Sequence, residues 1–174
     1  MTPQIKTILY TTALSSYTRP VLRFAVGLAK QYDAKIVLLH AVEPLSNSVR
    51  FLMDNYLPPE KVEELHREAT SGILEKFHRR LELFCAEELS STLEQTKVIS
   101  EIRVLSGIPH EVILKEADRC NADLIVMGSH AGSSGLGDYL GSTSRRLTLL
   151  SKRPVLIIPF VRGTENEWPS QRVV

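Results

Sequence analysis

Leu124-Ile125-Val126-Met127-Gly128-Ser129-His130-Ala131-Gly132-Ser133-Ser134-Gly135-Leu136-Gly137-Asp138-Tyr139-Leu140-Gly141-Ser142-Thr143-Ser144 is the stretch on which the fold turns. Its first four residues form a short apolar run of the kind that makes a buried parallel strand. Gly128 ends the run, and five of the chain's nine glycines, Gly128, Gly132, Gly135, Gly137 and Gly141, lie in the loop that follows. Ser142-Thr143-Ser144 then leads into Arg145-Arg146-Leu147. A strand, a loop of small residues and a hydroxyl-rich helix start leave backbone N–H groups free to face an anion. The stretch reads as a phosphate cradle, against the plainer reading of a flexible surface connection. It is not a P-loop, since no lysine lies between Gly128 and Ser151. Nor is it a standard dinucleotide turn, since Leu140 stands where the third glycine belongs.

Outward from that stretch, strands and helices alternate. Lys6-Thr7-Ile8-Leu9-Tyr10-Thr11 is rich in β-formers and reads as the first strand, followed by a polar turn from Thr12 to Ser16. Val21, Phe24, Ala25, Leu28 and Ala29 repeat at helical spacing after Pro20, with Ser16 or Thr18 as cap. Lys35 to Val42 is almost wholly apolar and belongs inside a parallel sheet. Pro58-Pro59 opens a long helix to about Leu89, whose buried side is expected at Val62, Leu65, Ala69, Ile73, Phe77, Leu81 and Phe84. Gly72 within it suggests a kink or a close contact. Thr96 to Val104 reads as a third strand nearer the sheet edge. Gly107-Ile108-Pro109 turns into a short helix, and a last helix from about Ser142 to Leu150 points Leu147 and Leu150 inward. Val155-Leu156-Ile157-Ile158 is the fifth strand, closed by Pro159.

Five strands alternating with helices imply right-handed crossovers and an α/β fold, a single doubly wound parallel sheet covered on both faces. Ligands in such sheets sit beyond the carboxyl ends of the strands, where the strand order reverses. That places the cradle opposite the turn from Thr12 to Ser16 if the first and fourth strands are neighbours.

A length of 174 residues and a net charge of +1 fit one domain with interspersed charges, without the basic footprint of a nucleic-acid or membrane-surface binder. No apolar run approaches a bilayer span, and the N-terminus lacks a signal-peptide core, so the cytoplasm is expected. Cys85 and Cys120 show no C-x-x-C spacing and are expected as buried thiols. There is no G-x-S-x-G elbow and no metal-ligand cluster, and Asp138 is the one acid in the loop. The chain is therefore not expected to be an enzyme, beyond slow ATP hydrolysis at most.

The residues resemble the universal stress protein (UspA-like) family over about 5–159. Gly128, Gly141 and Ser142 match its nucleotide motif G-x-x-G-x9-G-[ST], and Pro154-Val155-Leu156-Ile157-Ile158-Pro159 matches its closing strand. Gly107-Ile108-Pro109 and Leu39-His40-Ala41-Val42-Glu43-Pro44 resemble its G-x-P turn and second strand end. The resemblance implies strand order 3-2-1-4-5 and a nucleotide-binding domain over residues 1–160, while residues 161–174 have little periodicity and read as an extended tail. The resemblance implies ATP or AMP, with Mg accompanying ATP, held between the first and fourth strands. It also implies a homodimer through the last strand, Val155 to Ile158, and a role in stress-response signalling. For the phosphates the loop offers the backbone of Gly128, Ser129, Gly132 and Gly141, with the Ser142 and Thr143 hydroxyls and the helix N-terminus that they cap; His130 is in reach of a phosphate, and Met127 is counted among the nucleotide-binding positions. For adenine and ribose the resemblance points to Thr11, Thr12, Ala13, Ala41 and Val42.

Two residues depart from the pattern. Ala131 stands at the second motif glycine, beside Gly132, and Ala13 stands where nucleotide-binding members place a carboxylate. Alanine in a left-handed position costs roughly 1–2 kcal/mol, and a lost charged hydrogen bond roughly 1.5–3 kcal/mol. Together they would weaken a micromolar site about a hundredfold or more. A nucleotide-independent dimer acting through protein partners is the competing expectation.

Overall fold

The computed structural model describes residues 4–14, 18–44, 51, 55–89, 98–129 and 140–159. Within them the chain runs β1 (Thr7–Thr11), α1 (Thr18–Tyr32), β2 (Lys35–Val42), α2 (Pro59–Leu89), β3 (Ile99–Ser106), α3 (Pro109–Arg119), β4 (Leu124–Gly128), α4 (Ser142–Leu150) and β5 (Val155–Ile158). The five strands form one sheet in the order β3-β2-β1-β4-β5. Every pairing is parallel, with Thr11 opposite Leu39 on one side and Met127 on the other. The apolar runs of β1, β2 and β4 occupy the three central places, where both faces are covered, and the more polar β3 lies at an edge. Thr96 and Lys97, expected in that strand, lie outside the described residues.

Alternation along the central strands splits the core in two. Ile8, Tyr10, Ile36, Leu38, Leu124 and Val126 pack with α1 and the C-terminal half of α2. Leu9, Val37, Leu39, Ile125 and Met127 pack on the other face with Ile113 and Ala117 of α3 and Leu147 of α4. Arg19 and Arg23 of α1 clasp Glu88, whose side chain is almost fully buried, and so fix the two helices that share the first face.

Four expectations are corrected. The apolar positions of α2 do not form one buried side: Leu81 is fully buried, whereas Leu65 and Ile73 are each 39% exposed. At 3.6 residues per turn a step of four residues turns a stripe by roughly 40°, so the four steps from Leu65 to Leu81 turn it by about 160°. The two leucines therefore point to opposite sides of the helix. Leu150 is exposed rather than inward, because the buried direction of α4 is set by Ser144 and Leu147 and the next step of three rotates past it. Gly72 makes no close contact, since a Cβ there would meet nothing within 4 Å. Of the two free thiols, Cys85 is buried and Cys120, at the end of α3, is only half-buried.

Candidate functional site

The strand order reverses between β1 and β4, which opens a crevice at their carboxyl ends. One wall is the turn after β1. Thr11 is buried, Thr12 half-buried and Ala13 exposed. Thr12 N–H donates to Leu39 O at 3.0 Å, and Leu14 N–H donates to Thr12 Oγ1 at 3.1 Å. Beyond it lie Ala41 and Val42, half-buried at the end of β2. The Val42 carbonyl accepts the Gly107 N–H at 2.9 Å.

The opposite wall is the end of β4 and the start of α4. Met127 is buried, and its side chain belongs to the α3–α4 core rather than to the crevice. Gly128 is half-buried and Ser129 buried. Ser129 N–H donates to Ile158 O at 2.9 Å, and Gly141 N–H donates to Ser129 O at 3.1 Å. These two amides were expected to face a phosphate; both are spent inside the protein, because the loop base is pinned to β5. His130 and Gly132, like Ala131 and Asp138, lie outside the described residues.

The cap position of α4 falls on Gly141 rather than on Ser142, with φ −58° and ψ 157° and no side chain to cap with. The first intrahelical bond runs from Arg145 N–H to Gly141 O. An α-helix leaves the amides of its first turn without acceptors of its own. Among the described residues, the N–H groups of Ser142, Thr143 and Ser144 are therefore donors that this wall can offer an anion, reinforced by the positive end of the helix dipole. Ser142 is exposed and Thr143 half-buried, while Ser144 is buried, its Oγ 3.5 Å from Gly128 O. Arg145 adds an exposed cation in the first turn, whereas Arg146 donates to His110 Nε2 of α3 at 3.3 Å.

A residue that the sequence did not single out completes the β1 wall. His40 is buried, and its Nδ1 lies 2.8 Å from Thr12 O. A carbonyl only accepts, so Nδ1 carries the proton. Burial pulls the His40 pKa below its ordinary 6.5, against the opposing effect of that hydrogen bond. The one available signal was a histidine within an otherwise apolar strand at its carboxyl end.

Among the described residues no cluster of His, Cys, Asp or Glu has metal-binding geometry, and no helix is long and apolar enough to cross a membrane. A separate groove of about 400 Å³ runs between α2 and β3 past His78, Cys85 and Ile99.

The universal stress protein family profile matches residues 4–159. The chain belongs to the universal stress protein family. Its relatives include universal stress protein MJ0577 of Methanocaldococcus jannaschii, 26% identical over 91% of this chain and 97% of that one. The universal stress protein A homolog 2 of Coxiella burnetii is 31% identical over 88% of this chain and 94% of its own. The solved structure of MJ0577 superposes with a TM-score of 0.70 at 24% identity, covering 92% of this chain and 99% of that one. A universal stress protein from Archaeoglobus fulgidus, solved in complex with dAMP, has a TM-score of 0.51 at 18% identity over 90% of this chain and 99% of its own. A different universal stress protein structure, a complex with cAMP, has a TM-score of 0.54 at 20% identity over 91% of this chain and 99% of its own.

Proposed function

We propose that this universal stress protein is a cytoplasmic homodimer that binds an adenine nucleotide, ATP or AMP, between β1 and β4. It acts in stress-response signalling through occupancy of that site rather than through turnover. The observation that carries the reading is the start of α4. It begins beside the carboxyl end of β4 with a side-chain-free cap and the amides of Ser142, Thr143 and Ser144 unspent within the helix. Those amides would hold the phosphates, with Arg145 and, for ATP, an accompanying Mg ion balancing charge. Thr12, Ala13, Ala41 and Val42 would line the base and ribose. The family members solved with dAMP and cAMP support this choice of ligand class. Residues 1–160 form the nucleotide-binding domain in this reading, and 161–174 a tail. The dimer would form through the outer edge of β5, which is a terminal strand of the sheet. Leu149 and Leu150, 77% and 56% exposed, put apolar surface at the turn leading into it.

Calorimetric titration with ATP and AMP tests the reading. Saturation below millimolar nucleotide is expected, and none at millimolar concentration overturns it. Ser142→Pro sharpens the test: proline suits the first position of a helix, and the preceding Gly141 already has the extended ψ that proline requires. The substitution removes one amide at little cost in stability. Binding at least tenfold weaker is expected from a lost bond to a charged group. Unchanged binding would move the phosphates away from α4.

The second reading, a nucleotide-independent dimer acting through protein partners, is favoured by the spent amides of Ser129 and Gly141 and by the uncharged Ala13. A dimer by light scattering without nucleotide saturation is its expected outcome.

A further inference from the structure

We propose that His40 is a positioning residue for the β1 wall: by holding the Thr12 carbonyl it fixes the whole turn from Thr12 to Leu14 in the orientation that presents Ala13 to a ligand. The inference rests on the nucleotide reading above. Every polar group of Thr12 is occupied. Its N–H is on Leu39 O, its carbonyl is on His40 Nδ1, and its Oγ1 both accepts from Leu14 N–H and lies 3.1 Å from Thr18 Oγ1. Tyr10 OH donates to Thr18 O at 3.0 Å and ties the start of α1 to the same strand. Leu14 sits at φ +53°, a left-handed conformation that a leucine holds only when its surroundings over-determine it.

Ala13 is the residue left over. It is exposed, and its main-chain groups have no backbone partner among the described residues. His40 cannot swing away from its task, because its ring lies 4.8 Å from that of Phe77 of α2, tilted by 52°. His40 as a whole is 7% exposed. It therefore acts on a ligand through Thr12 and not by contact. The same packing makes His40 the side chain that spans from the turn to the long helix.

Two substitutions separate the donor from the ring. His40→Asn keeps an N–H near the Nδ1 position, and His40→Phe keeps an aromatic ring against Phe77 without a donor; His40→Met replaces the latter if it does not fold. On the full chain, ATP affinity by calorimetry and amide hydrogen exchange across 12–14 are measured together. The Phe variant is expected to bind about tenfold more weakly, the equivalent of one hydrogen bond, and to exchange faster at Leu14. The Asn variant is expected to stay within about threefold of wild type and to exchange as wild type does. A purely packing role predicts the reverse order, with Asn the worse of the two. Wild-type affinity in the Phe variant, or Asn as weak as Phe, overturns the proposal. If the wild type binds no nucleotide, the ligand reading fails, and exchange alone decides: equal exchange in Phe and wild type overturns the positioning role.

Discussion

Gly107→Ala is expected to be among the costliest single-methyl additions in this protein. Gly107 has φ +151°, and a Cβ built on it would lie 2.7 Å from Val112 Cγ2. Neither strain has an easy outlet. The backbone is held by the bond from Gly107 N–H to Val42 O, and Val112 is β-branched, stiff at χ1 and within the first turn of α3. The conformation costs alanine about 1–3 kcal/mol, and the overlap about 1–3 kcal/mol more. A total near 4 kcal/mol lowers Tm by roughly 8–16 °C for a chain of this size. Calorimetry on Gly107→Ala, Val112→Ala and the double variant separates the two parts. Val112→Ala should recover the overlap in the double variant but not the backbone strain, giving a favourable coupling of about 1–3 kcal/mol. A Gly107→Ala protein melting within about 2 °C of wild type, or strictly additive effects, would refute the reasoning.

Two further tests address the core. Leu81→Ala should cost about 2.7–5 kcal/mol in urea denaturation, whereas Leu65→Ala should stay within about 0.5 kcal/mol; equal costs would restore a single buried side to α2. Burial, with the Glu82 charge adding to it, pushes the Cys85 thiol from 9.0 up to about 11, and burial raises the Tyr10 phenol as well. In the unfolded chain the thiol ionises first. Its contribution is therefore whole below about pH 9 and is lost as pH rises towards about 11. Cys85→Ala should flatten the fall in urea midpoint across that window, and an unchanged slope would remove Cys85 as a cause.

The strands and their arrangement were legible because each central strand is an apolar run bounded by breakers, and because α/β alternation leaves few topologies. The family resemblance supplied the order 3-2-1-4-5, which the sheet has. The orientation of α2 was not legible: a chain of four-residue steps looks continuous in sequence while it winds around the helix. The crevice where the strand order reverses was legible as a place, whereas the bonds along its walls were not. That Ser129 and Gly141 are spent follows from the partners β5 and the loop base supply, which no local pattern encodes. The clasp of His40 on Thr12 joins residues 28 apart and was equally hidden.

The pinned loop base has a mechanical corollary. Ile158 O, Ser129 N–H, Ser129 O and Gly141 N–H form a relay of two peptide units from the outermost strand to the first turn of α4. Tension or stiffening applied along β5 by a neighbouring molecule would arrive at the amides that open α4 without passing through a side chain. Mutating side chains along the way leaves such a tether intact; only altering the main chain itself, as with proline at 129 or 141, would cut it.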